Sequence, residues 1–191
     1  MYWQVYLHKT TVSSEKVLVN ALLRAKQLAH EGKDIFATPC LKYFLYNDVG
    51  AETFKNDEEA QHNYALLDDN DIWSAIKVWI YNDDKVLSLL SADLLNRKLF
   101  KVEISGTPID EERTEGIKAT LANKFGISKE EAEYLISVDT IQKDMYDVHD
   151  DHITILFKDN TLKDISEASE VMNIASLSKK IRKYYLCYQR F

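Results

Sequence analysis

The sequence predicts a mainly α-helical protein with a small antiparallel sheet (α+β), arranged as a helical bundle followed by an α+β lobe. Glycine and proline are scarce, with 5 and 2 among 191 residues, and this scarcity favours long helices joined by short connections. The period of the apolar residues also changes, from a helical period to strand-like alternation near residue 98. We therefore predict a helical region over residues 1–97 and an α+β lobe over residues 98–191.

The first predicted helix is the longest. Neither glycine nor proline occurs between residue 2 and Gly32, and Gly32 lies where a helix C-cap is expected. The apolar stripe predicted for this helix is Val5, Val12, Val19 and Leu22 or Leu23.

Further helices are indicated by their capping residues. Pro39 can begin a short second helix, Asp69 or Asp71 can cap a third, and Asp83 and Asp84 precede a fourth. The side chains predicted to face the core are Ile72, Ile76, Trp79, Ile80, Val86, Leu87, Leu90 and Leu94.

The second half contains strands. "KLFKVEISG" alternates as a strand, residues 109 to 125 form a helix that ends at Gly126, and Ser128 begins a capping box. "YLISVDTI" is a further strand, and "HITILFKDNTLKDIS" predicts a hairpin that turns at Asp159 and Asn160. The C-terminal segment "SLSKKIRKYYLCYQRF" is interpreted as a helix. Its predicted apolar stripe is Leu177, Ile181, Tyr184 and Tyr188.

Charge and composition exclude several classes of protein. The net charge of −7 argues against a protein coated by nucleic acid, and no apolar run is long enough to cross a membrane. Cys40 and Cys187 are consistent with reduced thiols in the cytoplasm. Residues 171–191 contain no acid, so this basic tail either holds an anionic ligand or neutralises its own domain. Its cations are Lys179, Lys180, Arg182, Lys183 and Arg190.

Motifs of known chemistry are absent or incomplete. The sequence contains no glycine-rich nucleotide loop and no G-x-S-x-G nucleophile motif. The string "VHDDH" at residues 148–152 could ligate a metal, but the other histidines show no matching arrangement. We interpret it as a solvated acidic turn, and we assign no catalytic residue and no metal ligand to this chain.

The N-terminal helix carries a second face. Tyr2, Tyr6, Lys9 and Ser13 share this face, and His8 lies beside it. Aromatic and basic side chains together can stack on a base and neutralise phosphate. The alternative is that the aromatic residues pack on a neighbouring helix while the lysine reaches to solvent.

Five blocks of sequence carry a family resemblance. They are "YWQVYLHKT…VLVNALLRA", "YALLDDNDIWSAIKVW", "LLNRKLFKVEI", "DHITILFKDNTLKDIS" and "KKIRKYYLCYQRF". In this order they resemble the C-terminal half of HD-superfamily deoxynucleotide triphosphohydrolases, a group that includes bacterial dGTPase-like proteins. The family's metal-binding H…HD…D set lies upstream of the region that the resemblance covers.

The resemblance implies roles for three residues. Tyr6 would face the substrate pocket, and His8 and Lys9 would contact a nucleotide at a regulatory site. Gln4 stands where a family member carries arginine, and Asp147 stands where it carries lysine. The parent enzyme would use a divalent metal, whereas this chain would hold no cofactor itself.

The leading hypothesis is therefore a portion of a metal-dependent nucleotide phosphohydrolase that lacks the catalytic segment and is inactive alone. Its expected partners are the catalytic HD segment, further copies of the chain and a nucleotide. A second hypothesis is a free-standing interaction or regulatory module that docks another protein through its aromatic N-terminus. A third is binding of single-stranded nucleic acid through a helix at residues 179–190, where Tyr184, Tyr185 and Tyr188 accompany the cations.

Overall fold

A computed structural model describes residues 8–143, 154–164 and 181–191. Helices dominate these residues and accompany a small antiparallel sheet of three strands, which confirms the predicted fold class. Among the described residues, no helix is both long and apolar enough to span a bilayer.

The described residues form helices and strands in the following order. The helices are α1 (Lys9–His30), α2 (Pro39–Tyr46), α3 (Ala51–Asn56), α4 (Glu58–Leu66), α5 (Asp69–Trp79), α6 (Lys85–Leu95), α7 (Glu111–Phe125) and α8 (Lys129–Ala132), the last followed by a 3₁₀ turn (Glu133–Leu135). The strands are β1 (Lys101–Ser105), β2 (Ile136–Lys143), β3 (Thr154–Leu156), β4 (Leu162–Asp164) and β5 (Ile181–Tyr188).

Helix α1 ends as predicted but buries a different face. Gly32 adopts a φ of +83° immediately after the C-cap, a conformation that glycine reaches without strain. Val12 is buried and Leu22 is half-buried, whereas Val19 is 39% exposed and Leu23 is 52% exposed. The predicted stripe is therefore wrong at Val19, and Val5 lies outside the described residues. The buried apolar residues of α1 are Val12, Val17, Ala21, Ala25, Leu28 and Ala29.

Capping explains most of the remaining helix boundaries. Asp68, rather than Asp69 or Asp71, is the N-cap of α5, and Asp71 completes a reciprocal capping box. Asp84 caps α6 through a 2.8 Å hydrogen bond from the Leu87 N–H. Ser128 forms the predicted capping box at α8.

The helical core lies around α1, α5 and α6, which pack against one another in the pairs α1–α6 and α5–α6. Of the residues predicted to face inward, the fully buried ones include Ile76, Trp79, Leu87 and Leu90. Burying apolar side chains of this size is worth about 1.5–3 kcal/mol each. This burial is what holds the helices together.

A buried ion pair also joins these helices. The Arg24 guanidinium donates to both carboxylate oxygens of Asp84, at 3.1 and 2.5 Å, and to Glu131 at 2.9 Å. Burial alone would raise the pKa of Asp84, but the hydrogen bonds from Arg24 and the Leu87 N–H outweigh it and lower that pKa. Removing either partner would leave a buried charge uncompensated.

Residues Ile181–Tyr188 form a strand, so the helix predicted for the C-terminal segment is wrong there. The three-stranded sheet has the order β1–β5–β2, and β5 is its central strand. Tyr185, Leu186, Cys187 and Tyr188 are all buried. A strand buried on both faces shows no polar alternation, and its apolar residues therefore also fit a helical stripe.

The hairpin prediction is confirmed. Strands β3 and β4 pair antiparallel, with Thr154 opposite Asp164 and Leu156 opposite Leu162. Asn160 takes a φ of +63° in the turn, a conformation that asparagine tolerates better than most residues.

Contacts divide the chain into two units. The first comprises Met1–Glu103, Ile109–Val138 and Leu186–Phe191, and the second comprises Ile104–Pro108 and Asp139–Tyr185. The boundary expected between residues 97 and 98 stays a prediction. Both concave surfaces discussed below lie within the first unit.

Candidate anion-binding site

A cavity of about 630 Å³ opens at the N-terminal end of α1. Its walls come from three separate stretches of the sequence that the first unit brings together. They are Lys9, Thr10 and Ser13 of α1, the segment from Arg97 to Val102, and Gln189 with Arg190.

The start of α1 forms one wall. The His8 ring nitrogen Nδ1 accepts a 3.3 Å hydrogen bond from the Thr10 N–H, so His8 is the N-cap. Lys9 is therefore the first residue of the helix and is exposed. The Ser13 hydroxyl donates to the Phe100 carbonyl at 2.9 Å, which ties α1 to the second wall.

The second wall begins at a tight helix end. After α6, the Lys98 N–H donates to the Asp93 carbonyl at 2.8 Å and the Arg97 N–H donates to the Leu94 carbonyl at 3.3 Å. These two bonds form a Schellman motif, in which the left-handed position is usually glycine. Here it is Arg97, with a φ of +56°. A non-glycine residue in this conformation costs about 1–2 kcal/mol.

The C-terminal residues complete the cavity. The Gln189 N–H donates to the Leu135 carbonyl at 2.8 Å, and its side-chain amide donates to Asp93 at 2.5 Å. The buried amide oxygen of Gln189 has no hydrogen-bond partner within the part of the chain that the structure describes. Arg190 donates from Nε to the Leu99 carbonyl at 3.3 Å.

Asp93 therefore supports two walls at once. Its carbonyl accepts from the Arg97–Lys98 turn, and its carboxylate holds Gln189 beside Arg190. Burial raises the pKa of the Asp93 carboxyl, against the opposing effects of the Gln189 hydrogen bond and the charge of Lys98. The ionised form is disfavoured because this side chain is 5% exposed.

One lysine of the cavity is already paired. Lys101 lies 3.0 Å from the Glu103 carboxylate and 5.4 Å from the centre of the Tyr188 ring. The Tyr188 hydroxyl donates to Glu103 at 2.8 Å, and Arg113 also contacts this carboxylate. Hydrogen bonds from Tyr188, Lys101 and Arg113 together lower the pKa of Glu103 to about 2.

The other cations are not neutralised by ion pairs. Within the described residues, Lys9, Arg97 and Lys98 form no salt bridge, and no acidic side chain lines the cavity. Among the described residues, Arg190 donates through Nε to the Leu99 carbonyl. Guanidinium and ammonium groups that line one cavity with no carboxylate in its lining are suited to bind phosphate or another polyanion. The geometry therefore supports anion binding.

The structure describes most, but not all, of the predicted site residues. Tyr6 lies outside the described residues. Lys9 lines the cavity, and Ser13 of the same predicted face joins it there, whereas His8 is exposed and caps the helix beside the cavity. Of the basic tail, Arg190 reaches the cavity, Arg182 and Lys183 belong to β5, and Lys179 and Lys180 lie outside the described residues.

Sequence reasoning did not identify Arg97, Lys98 and Lys101 as site residues. The signal was present, because "NRKLFK" places three cations within five residues directly after a predicted helix. What sequence could not supply is their proximity to Lys9 and Arg190.

A metal site is not found in the described residues. They contain no group of three or more His, Cys, Asp or Glu side chains that could hold a metal ion. The "VHDDH" string lies outside them, so its interpretation as an acidic turn stays a prediction. The described residues do not fit the divalent metal that the family resemblance implies.

The chain is similar to a phosphohydrolase of known structure. A crystal structure of a phosphohydrolase from Bacteroides thetaiotaomicron superimposes with a TM-score of 0.90, at 52% sequence identity, over 100% of this chain and 47% of that one. No family model matches the sequence.

A curated sequence relative is also found. An uncharacterized protein of Bacillus subtilis, YwfO, is 29% identical over 98% of this chain and 42% of its own length. The chain thus spans less than half the length of the relatives it matches.

Proposed function

We propose that this chain is part of a metal-dependent phosphohydrolase that acts on deoxynucleoside triphosphates. The observation that carries the proposal is the similarity to the Bacteroides phosphohydrolase, at 52% identity over the full chain. The nucleotide substrate and the HD type of the enzyme come from the sequence resemblance. Because the described residues do not fit a metal, we assign the chain no chemical step.

The contribution of this chain is instead to bind phosphate and to support assembly. We propose that the cavity formed by Lys9, Arg97, Lys98 and Arg190 binds the phosphate chain of a regulatory nucleotide, next to His8. Tyr6 would complete the wall of the substrate pocket in the longer enzyme, and the chain would take part in oligomer contacts.

The catalytic part of the proposal is tested by turnover. The 191-residue chain and the longest reading frame that contains it are incubated with dGTP or dATP and Mn²⁺, and released triphosphate is measured. We expect turnover by the longer polypeptide only. Turnover by the short chain that a chelator abolishes would mean that "VHDDH" is a metal site, and absence of turnover by both would overturn the proposal.

The phosphate-binding part is tested without activity. Calorimetry measures binding of inorganic tripolyphosphate and dGTP to the 191-residue chain. Lys9→Ala should weaken binding about tenfold, since a hydrogen bond to a charged group is worth about 1.5–3 kcal/mol. Lys77→Ala, which removes an exposed lysine outside the cavity, is the matched control. Equal effects of the two variants would show that binding is non-specific.

A further inference from the structure

The first unit has a second concave surface, which is apolar rather than cationic. It is a shallow apolar groove of about 490 Å³ between α2, α3 and α4. Its lining residues are Phe44, Val49, Gly50, Ala51, Phe54, Tyr64 and Leu67. Phe44 and Phe54 both contact Tyr64 edge-on, with ring centres 6.5 and 5.3 Å apart. Tyr64 is nevertheless 63% exposed, so one side of the aromatic cluster faces solvent.

The groove lies in a strongly acidic segment of the chain. Residues 48–71 contain eight acids and one lysine, Lys55. The acids are Asp48, Glu52, Asp57, Glu58, Glu59, Asp68, Asp69 and Asp71. Three of them, Asp48, Glu52 and Asp68, are sequence neighbours of lining residues and are exposed.

Two of the eight acids form salt bridges among the described residues. Lys55 pairs with Glu52 at 2.9 Å and Lys26 pairs with Asp48 at 3.1 Å. Within the described residues, no salt bridge involves Glu58, Glu59 or Asp69. Of the three acids beside the groove, Asp68 forms no salt bridge within the described residues. An apolar floor in a segment of net negative charge is complementary to a ligand that has an apolar centre and a positively charged edge.

We propose that this groove binds an amphipathic helix of a partner protein, with apolar side chains on the floor and lysine or arginine side chains at the rim. The lining residues belong to helices and their connections, so no free strand edge is offered to a peptide backbone. A bound peptide must satisfy its own backbone hydrogen bonds, and a helix does so.

Charge also argues against a second copy of this chain as the occupant. A two-fold contact through the groove would place the same acidic segment on both sides of the interface. Like charges brought together in this way disfavour association. The partner is therefore a basic helix of different sequence.

The test uses a designed peptide as the probe. A helix of about 16 residues, or about four turns, carries leucines at i, i+3, i+4 and i+7 with lysines beside them. A control peptide replaces each lysine by glutamate. Binding to the 191-residue chain is measured by fluorescence anisotropy. We expect Kd values in the micromolar range for the lysine peptide, typical of a small interface, and at least ~30-fold weaker binding of the glutamate peptide.

Two pairs of variants locate the contact. Tyr64→Ala should weaken binding of the lysine peptide about tenfold because aromatic anchors dominate such interfaces. Tyr81→Ala removes a tyrosine that lies outside the groove and is 83% exposed, so it should leave peptide binding unchanged. Glu52→Lys should weaken binding and reduce its dependence on salt, whereas Glu15→Lys, on exposed α1 surface, should have little effect. Circular dichroism verifies that every variant is folded.

Three results would overturn the proposal. The first is equal binding of the lysine and glutamate peptides, and the second is an equal effect of Tyr64→Ala and Tyr81→Ala on peptide binding. The third is that the peptide does not bind, while light scattering shows self-association of the chain that Tyr64→Ala abolishes. The last result would identify a second copy as the occupant. None of these measurements depends on phosphate binding or on hydrolysis.

Discussion

The cationic cavity and the apolar groove belong to the same folded unit but are built in different ways. The cavity joins residues about 90 and 180 positions apart, whereas the groove is formed almost entirely by residues 44–67. The cavity has no acidic residue in its lining, and the groove belongs to a segment of sequence that contains eight acids. A net charge of −7 therefore conceals a separation of charge between two surfaces.

This separation predicts that the two surfaces bind different ligands and do so independently. Polyanions should bind to the cavity and be repelled from the groove, and basic amphipathic helices should do the reverse. Substitutions in and around the cavity test how well its side of this comparison holds.

Reversing two charges in the cavity should have the largest effect. Lys9→Glu combined with Arg97→Glu places two carboxylates among the cations and should weaken tripolyphosphate binding at least ~100-fold, since each charged hydrogen bond is worth about 1.5–3 kcal/mol. Calorimetry measures this loss. The affinity of the lysine peptide for the groove should stay the same, and a parallel loss of both ligands would show that the surfaces are coupled or that the fold is damaged.

Relieving the strained turn should separate stability from binding. Arg97→Gly gives the left-handed position its preferred residue and should raise the free energy of unfolding by about 1 kcal/mol, while tripolyphosphate binds about tenfold more weakly. Denaturant unfolding and calorimetry measure the two effects. Arg97→Ala removes the same charge but keeps the strain, so it should weaken binding without stabilising the fold. Stabilisation by both variants would mean that backbone strain is not the cause.

These two regions also show what sequence could predict. Local signals succeeded: Asp84 as a cap, the Ser128 capping box, and the turn at Asp159–Asn160 each depend on neighbours within a few residues. Periodicity identified Ile76 and Leu90 as core residues. The fold class followed from such local rules.

The errors arose where long-range contacts decide the structure. The β5 residues Tyr185–Tyr188 are buried consecutively because the strand lies in the centre of a sheet, and no local pattern distinguishes that from a helix. The cavity was found only in part for the same reason. Lys9 was identified from the helix face that it shares with Tyr6 and from a family resemblance. Only the folded chain places Arg97 and Arg190 around the same space.

Neutralising Asp93, the buried acid beneath the cavity, should strengthen tripolyphosphate binding, by less than the charge reversals weaken it. Asp93→Asn keeps a hydrogen-bond acceptor for Gln189 but deletes a negative charge. Tripolyphosphate should therefore bind about threefold to tenfold more tightly at pH 7, because one nearby charge is worth about 1 kcal/mol. Calorimetry compares the variant with wild type. Weaker binding by Asp93→Asn would mean that its support of the Gln189 wall matters more than its charge.

The same variant predicts a pH dependence of stability. The pKa of Asp93 is raised above its ordinary value of 3.8 in the folded chain, so protonation favours folding. The free energies of unfolding of wild type and Asp93→Asn should therefore be most similar below pH 3.8. As pH rises through the raised pKa of Asp93, wild type should become less stable relative to Asp93→Asn. Urea unfolding across this range measures the difference, and a constant difference would contradict the assignment.

The Glu103 carboxyl should give a pH dependence of stability of the opposite sign. Its folded pKa of about 2 lies below the ordinary value of 4.5, so its contribution to stability is present above pH 4.5 and is lost as pH falls toward 2. Tyr188→Phe removes the hydroxyl that donates to Glu103 and should move its titration midpoint upward in a carboxyl NMR titration. Glu52, whose ion pair with Lys55 is exposed on the rim of the groove, offers a matched comparison: Glu52→Gln should leave stability nearly unchanged, since exposed pairs contribute about 0–1 kcal/mol. A Glu103 midpoint that stays in place in Tyr188→Phe would mean that Lys101 and Arg113 alone hold this carboxylate. The ordering of the cavity wall would then depend on charge rather than on the tyrosine of β5.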